Sequence, residues 1–462
     1  LFRKEYEALL KAFAEYVGTR NWGKRVIAIR VSYGIYSEWH YYGMDGAMPD
    51  TGVAMTKHFR HWLRDKYADA GALAAAWHQP GVTFDTATVP GPEARKGQGG
   101  YLRDPASKDR QVLDYYECHQ DTVADFLLAG ARAIKSVNPK LLVGAYYGYL
   151  FNMSYPAEGQ TLKVDKVLAS PDIDFLSSPY GYNMPTRSPG GDGLQRIVPS
   201  IFRRYGKLAL IELDVRTHKA ADPIHNIKNE AQSVAVLERD IANVWFAGCG
   251  LQMLDLDSPK GLPSWWNSPG IQWVFHRALT VWRQLLDQAP QTEYEAVAVW
   301  NPSEMYRHGH PNREDNHPMA VALGENTLHA LYRSGYGFDL RTLDDYLKEG
   351  REYKLVIFMN LFSPTREQRE KIAGLVRRPG LTAVYVYAPG AVTEKGLKPE
   401  AMEELTGIKL MMDATPKSFK VNYPAGKPGS GLSDGRTEAP RFAIKDAEAR
   451  TIGKYADNGD VA

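Results

Sequence analysis

Between its first residue and about residue 285, the sequence alternates short apolar runs with longer helical patterns, and this alternation constrains the fold most. The strand-like runs are Val26–Val31, Leu141–Tyr146, Ile173–Ser177, Leu208–Ile211 and Gly250–Leu256. They are apolar almost without interruption, as strands covered on both faces should be. Helical patterns fall at Leu1–Tyr16, His58–Tyr67, about Gln111–Val137, Gly193–Tyr205 and His225–Phe246, and Asn138-Pro139 is a good stop for the third. A repeated strand–helix order implies an α/β fold of parallel strands with crossover helices. Such units build either a doubly wound sheet or an eight-stranded barrel. Glu38, Tyr146, Tyr180, Glu212 and Asp255 all follow strand ends, where barrels keep their functional residues. Five strands make a partial (β/α)8 barrel, and closure would require about three more units before Leu1.

A second region begins near Tyr294. Ala296–Trp300, Leu355–Met359 and Leu381–Tyr387 read as strands, and Pro318–Gly335 and Arg366–Val376 as helices. The expectation is a barrel part over residues 1–290 and a smaller, flavodoxin-like α/β domain over 291–462. With 462 residues, two domains are the default. All ten Trp lie at or before Trp300, which places an aromatic-rich site in the first region. Tyr423–Pro440 is rich in Gly, Pro and Ser and reads as a loop. The chain starts inside a helical pattern, and Tyr455–Asp460 looks like a hairpin turn cut before its second strand, so it reads as a fragment at both ends.

The formal net charge of +2 gives no reason to expect nucleic acid or an anionic membrane as partner. No apolar run reaches the ~18 residues of a membrane helix. Two cysteines, Cys118 and Cys249, exclude a disulfide framework. His308, His310 and His317 share a polar loop but lack the i,i+4 spacing of helical ligands, so no metal and no cofactor is expected. The compartment is not legible.

Two carboxylates carry the chemistry. Glu38 sits in Ser37-Glu38-Trp39-His40-Tyr41-Tyr42, where aromatic neighbours would desolvate it and suit it to donate a proton. The alternative is a salt bridge to a loop Arg. Glu212 ends Leu208–Ile211, and Arg216, His218 and a Tyr of an adjacent strand could hold it ionised. The alternative is a plain Glu212–Arg216 ion pair. Two carboxylates on separate strand ends, in a chain rich in Trp and Tyr, are what glycoside hydrolysis needs. Tyr180 could bond the nucleophile or pack at the rim. Trp265 and Trp266 could stack on a sugar. Asp255 and Asp257 could bond hydroxyls or cap the following loop. Ser37, Trp39 and Tyr146 complete the candidate substrate contacts.

The sequence resembles the glycoside hydrolases of clan A, and within them the family 42 β-galactosidases and relatives. The likeness rests on Phe59–Tyr67 with Leu73 and Trp77, on Glu38 and Glu212, and on Leu355–Asn360 followed by Ser363–Glu367. It implies that the strands are barrel strands four to eight. It also implies that Glu38 is the acid/base and Glu212 the nucleophile of a retaining enzyme, with carboxylates about 5–5.5 Å apart. The second region would be a trimerisation domain, and the partners a saccharide or small glycoside and further copies of the chain. One departure concerns Ser37, because the clan usually has Asn before the acid/base. That leaves the sugar preference open and admits a β-mannosidase-like enzyme or a non-catalytic carbohydrate-binding or assembly protein.

Overall fold

The computed structural model describes residues 2–40, 48, 50–97, 100–153, 156–220, 225–255, 264–286, 293–309, 318–423 and 437–462. Five strands form one parallel sheet in chain order: β1 (Ala28–Val31), β2 (Leu142–Tyr146), β3 (Phe175–Pro179), β4 (Leu208–Leu213) and β5 (Gly250–Met253). Neighbouring strands pair in register, Arg30 with Gly144, Tyr146 with Ser177, Pro179 with Glu212 and Glu212 with Gln252. Strand alternation then sorts the side chains into two faces. Val31, Val143, Ala145, Ile211 and Leu213 point to the helices and are buried in the main core. Arg30, Tyr146, Glu212 and Gln252 share the opposite face. Lower on that face Leu142 and Leu208 are 42% and 47% exposed.

The helix Asp109–Val137 follows its pattern closely and packs along the helix Phe2–Thr19. Gly130 allows the approach, because a Cβ there would lie 2.9 Å from the Tyr6 ring. The helix stops where Asn138 turns to extended backbone before Pro139. Other boundaries differ from the sequence reading. The helix expected over Gly193–Tyr205 spans only Pro199–Tyr205. Its front is extended, with Gly193 at φ +71° and Gln195 bridged to Tyr180. β5 ends at Met253 rather than Leu256.

A second parallel sheet has the order β7-β6-β8-β9, with β6 (Ala296–Trp300), β7 (Phe338–Thr342), β8 (Leu355–Phe358) and β9 (Thr382–Tyr385). That is the order of a flavodoxin-like doubly wound sheet. β7 has no counterpart in the sequence reading. The segment Pro318–Gly335 is a helix broken by a π turn at Ala322–Asn326, where Thr327 Oγ1 donates to the Ala322 carbonyl at 3.0 Å. Trp300, Leu323 and Leu340 belong to the same buried cluster as the first sheet. Towards the C-terminus, Leu410–Asp413 pairs antiparallel with Arg441–Ile444. Thr437–Glu438 pairs with Lys417–Ser418, so the end of the expected Tyr423–Pro440 loop is strand. The turn after Tyr455 closes on itself: Tyr455 N–H donates to the Asp460 carbonyl at 2.8 Å, and Val461 bridges to Lys454. Cys118 and Cys249 are buried and free. Among the described residues no helix is long and apolar enough to cross a membrane.

Candidate active site

β1 runs into a tight turn that presents Glu38. Glu38 N–H donates to the Ile35 carbonyl at 3.1 Å, and Trp39 N–H to the Tyr33 carbonyl at 2.9 Å. Tyr36, Ser37 and Trp39 take φ of 56°, 66° and 58°. Left-handed backbone costs a non-glycine residue roughly 1–2 kcal/mol, so the turn stores strain that its surroundings must hold. At Gly34, with φ +80°, a Cβ would lie 2.2 Å from the His40 carbonyl oxygen. Trp39 is the anchor. Its ring is 2% exposed, its Nε1 donates to the Val31 carbonyl at 3.0 Å, and it packs edge-on against Tyr6 and Phe126. The expected substrate contact at Trp39 is therefore replaced by a core contact. Ser37 stays exposed at the tip of the turn.

Glu38 lies against His40. His40 is buried, and its Nδ1 is 2.9 Å from the Gly159 carbonyl oxygen. A carbonyl only accepts, so Nδ1 carries the proton. Nε2 is 3.3 Å from Glu38 Oε2. The Glu38 side chain is 19% exposed. Tyr149 is buried beside the His40 ring at 5.0 Å, under the guanidinium of Arg196 at 4.3 Å. Burial first, and then the charge of Glu38, raises its hydroxyl well above the ordinary range.

Glu212 is buried near the end of β4. Tyr146 donates its hydroxyl to Glu212 Oε2, and Gln252 Nε2 donates to the same oxygen at 2.9 Å. Gln252 Nε2 also donates to the Tyr146 hydroxyl at 3.1 Å, while Arg30 Nη2 donates to Gln252 Oε1 at 2.5 Å. The Arg30 guanidinium lies 4.5 Å from the Tyr146 ring centre. Burial pushes Glu212 up to about 7, the Tyr146 hydrogen bond opposes this, and Asp214 and Glu38 add to the rise. The charge of Glu38 thus reaches Glu212.

Gln252 and Arg30 escaped the sequence reading, although each is a lone polar residue in an apolar strand on the Glu212 face. Other candidates lie elsewhere. Tyr180 is buried on the helix side against Asp240, with the Arg187 guanidinium 4.1 Å over its ring, and does not hold Glu212. The tyrosine on Glu212 comes from β2 instead. His218 Nδ1 meets Ser233 Oγ at 2.8 Å on the helix Glu230–Phe246, which takes it off the nucleophile. Arg216 lies 5.7 Å over the Trp265 ring. Trp265 and Trp266 are both buried, and Trp266 packs edge-on against Phe275, so neither offers an open stacking face. Asp255 accepts from Ser264 Oγ at 2.5 Å and Trp265 N–H at 3.0 Å, which makes it a loop cap. Asp257, His310 and His317 lie outside the described residues. His308 is buried against Phe362, and among the described residues no group of three His, Cys, Asp or Glu could hold a metal.

Two features near the site were not anticipated. Arg187 and Asp214 form a fully buried ion pair at 2.6 Å, two residues after Glu212. Tyr182, 45% exposed, stacks on Arg187 at 3.9 Å. Its N–H donates to Asn152 Oδ1 at 2.6 Å, and Asn152 in turn donates to Glu325 of the second region.

This arrangement of strands has solved counterparts. A β-galactosidase of the Antarctic haloarchaeon Halorubrum lacusprofundi superposes with a TM-score of 0.65 at 15% identity, covering 100% of this chain and 67% of that one. The β-galactosidase of Bacillus circulans sp. alkalophilus gives 0.62 at 15% identity, over 99% and 66%. A variant of Gan42B, a family 42 β-galactosidase of G. stearothermophilus, gives 0.58 at 16%, over 100% and 66%. The fold is that of these β-galactosidases. β1 to β5 therefore correspond to part of a (β/α)8 barrel, and the chain spans about two thirds of the length of these glycosidases. No protein-family model matches the sequence, and no curated protein matches it.

Proposed function

We propose that the chain carries the catalytic pair of a retaining β-glycoside hydrolase, β-galactosidase-like in its chemistry. Glu212 attacks the anomeric carbon. Glu38 protonates the departing oxygen and then activates the water that releases the sugar. The observation that carries this reading is the contrast between the two carboxylates' partners. Glu212 Oε2 receives two donors, Tyr146 and Gln252, which favours the ionised form and leaves Oε1 to attack. Glu38 faces a ring nitrogen at 3.3 Å.

The value of about 7 at Glu212 supports a second assignment, with the buried acid as proton donor. Its hydrogen bonds weigh against that, because the two donors on Oε2 bind the ionised carboxylate more strongly than the acid, and the Tyr146 bond opposes the rise. The arrangement of roles is tested by substitution in the complete gene product. Glu212→Gly abolishes turnover, and external azide restores it as a glycosyl azide. Glu38→Ala slows glycosides with poor leaving groups far more than activated aryl glycosides. Failure of azide rescue in a folded variant, or equal losses across leaving groups, removes the assignment. The galactoside preference is tested on a panel of aryl β-galactosides, β-mannosides and β-glucosides. The region from residue 291 onward is proposed to assemble copies of the chain into a trimer, supported by the likeness of Leu355–Asn360 and Ser363–Glu367 to the family's trimerisation domain. Light scattering measures that state directly.

A further inference from the structure

We infer that His40 is the positioning and proton-sharing partner of Glu38. The inference rests on the glycosidase reading for its chemistry and on separate geometry for its placement. Ser37 is exposed, with φ +66°, and sits at the outer tip of the turn. The group that meets the Glu38 carboxylate is instead the imidazole two residues on, at 3.3 Å.

Three observations fix that imidazole. Its Nδ1 donates to the Gly159 carbonyl at 2.9 Å, which aims Nε2 at Glu38 Oε2. The ring is buried and lies against Tyr149. The His40 backbone closes the turn, because its carbonyl accepts from Ile35 N–H at 3.3 Å and blocks any Cβ at position 34. The strained left-handed residues on either side of Glu38 therefore deliver the carboxylate to a fixed nitrogen. A histidine that only filled space would not need its Nδ1–H committed to a carbonyl and its Nε2 turned to an acid.

The proton balance follows. Beyond the proton held on Nδ1, the pair can bind two protons, one on Nε2 and one on Glu38. In the singly protonated pair the proton lies between Oε2 and Nε2, and moves to the glycosidic oxygen as the C–O bond breaks. The pair is then empty, and water supplies the next proton in the second step as it attacks the glycosyl-enzyme. Among the described residues, the charged and titratable groups facing the pair are Tyr149 beside the ring, Arg196 behind Tyr149, Tyr182, whose hydroxyl feels the charge of Glu38, Glu212, whose carboxyl also feels it, and Glu158, which precedes Gly159 and accepts from Tyr116 at 2.7 Å.

The test uses the complete gene product with His40→Gln and His40→Phe, each also made in Glu38→Ala. Glycosides with poor leaving groups are expected to lose about 10–100-fold in kcat/KM in His40→Gln, the scale of a perturbed acid–base step. Activated aryl glycosides lose much less. In Glu38→Ala, the His40 substitutions add no further loss. Equal losses on all leaving groups, or additive losses in the double variants, would reduce His40 to a packing residue. ¹⁵N NMR of the ring reads the placement without turnover: Nδ1 protonated is expected, and a neutral ring carrying its proton on Nε2 overturns the inference. If Glu38→Ala itself shows no leaving-group dependence, the glycosidase reading fails and takes the proton-sharing role with it. If Glu38→Ala behaves as expected and the His40 variants do not, this inference alone fails.

Discussion

Glu212 and Glu304 are both buried glutamates at the C-terminal side of a parallel sheet, and both are raised above the ordinary carboxylate range chiefly by burial. Their partners separate them. Glu304, fully buried after β6, accepts from Ser363 N–H at 2.7 Å on one oxygen and from Ser363 Oγ at 3.0 and 2.9 Å on the two. Arg307 stands 4.0 Å from it. Beside it Asn301 and Asn360 join β6 to β8, Asn301 N–H donating at 2.7 Å and Asn360 Nδ2 returning a bond at 2.8 Å. Those groups seal the second sheet's strand ends. Among the described residues, Glu212 has donors on one oxygen only, a second carboxylate within electrostatic reach, and a face shared with Arg30 and Gln252. Burial of an acid is thus no sign of chemistry by itself. An oxygen left without donors, in a site that holds a second acid, is.

The largest expected effect breaks the comparison in activity. Glu212→Gln should lower kcat on the order of 10,000-fold, as removal of a nucleophile does. Glu304→Gln should leave kcat per folded molecule nearly unchanged. A large loss in Glu304→Gln with an intact melting transition would put the second sheet into the chemistry.

Stability should divide the two residues in the opposite sense. Glu304→Ala strands the Ser363 donors and Arg307 in a dry site, and should cost about 3 kcal/mol in chemical unfolding. Glu212→Gln should stabilise above neutral pH. Its native value lies above the ordinary 4.5, at about 7, so the folded state binds the proton more tightly than the unfolded one. Stability therefore falls as pH rises from about 4.5 to 7, by at most about 3 kcal/mol, and by less where solvent screens the carboxylate. Glu212→Gln removes that fall. The gain should be present at pH 8 and absent at pH 4. A gain independent of pH would assign it to packing instead of charge.

How much of this could be read from the chain depended on what each residue was buried against. β1 to β5 are mostly apolar and were legible as runs. So were Glu38, Tyr146 and Glu212 at their ends. β7 was not, because Phe338-Asp339-Leu340-Arg341-Thr342 alternates charge with apolar residues. Its charges are buried in pairs: Arg341 Nε donates to Asp339 Oδ2 at 2.6 Å, and Tyr353 donates to the same oxygen at 3.2 Å. Apolar continuity misses a strand whose polar atoms are satisfied by one another. Trp39, Trp265 and Trp266 failed the other way. All three read as candidate sugar contacts, but tertiary packing covers them. The indole of Trp39 even bonds back to β1. Arg30 and Gln252 were within reach, since strand period two places both on the Glu212 face once the register is known, and the register is a long-range fact.

The smallest expected effect sharpens what holds Glu212. Tyr146 donates to Oε2, and that bond opposes the rise caused by burial. Tyr146→Phe removes the donor and keeps the ring that Arg30 covers. The ionised carboxylate then loses one of its two donors, so Glu212 binds its proton more tightly. Attack requires the ionised form. The ascending limb of kcat/KM against pH, expected near 7 in the wild type, should therefore move upward by about one unit, the equivalent of about 1.4 kcal/mol for a charged hydrogen bond. The loss in rate should shrink at high pH, where the variant is ionised again. A uniform loss at every pH would mean that Tyr146 acts on the transition state alone. An unmoved limb with unchanged rate would leave Gln252, placed by Arg30, as the donor that sets the charge of Glu212.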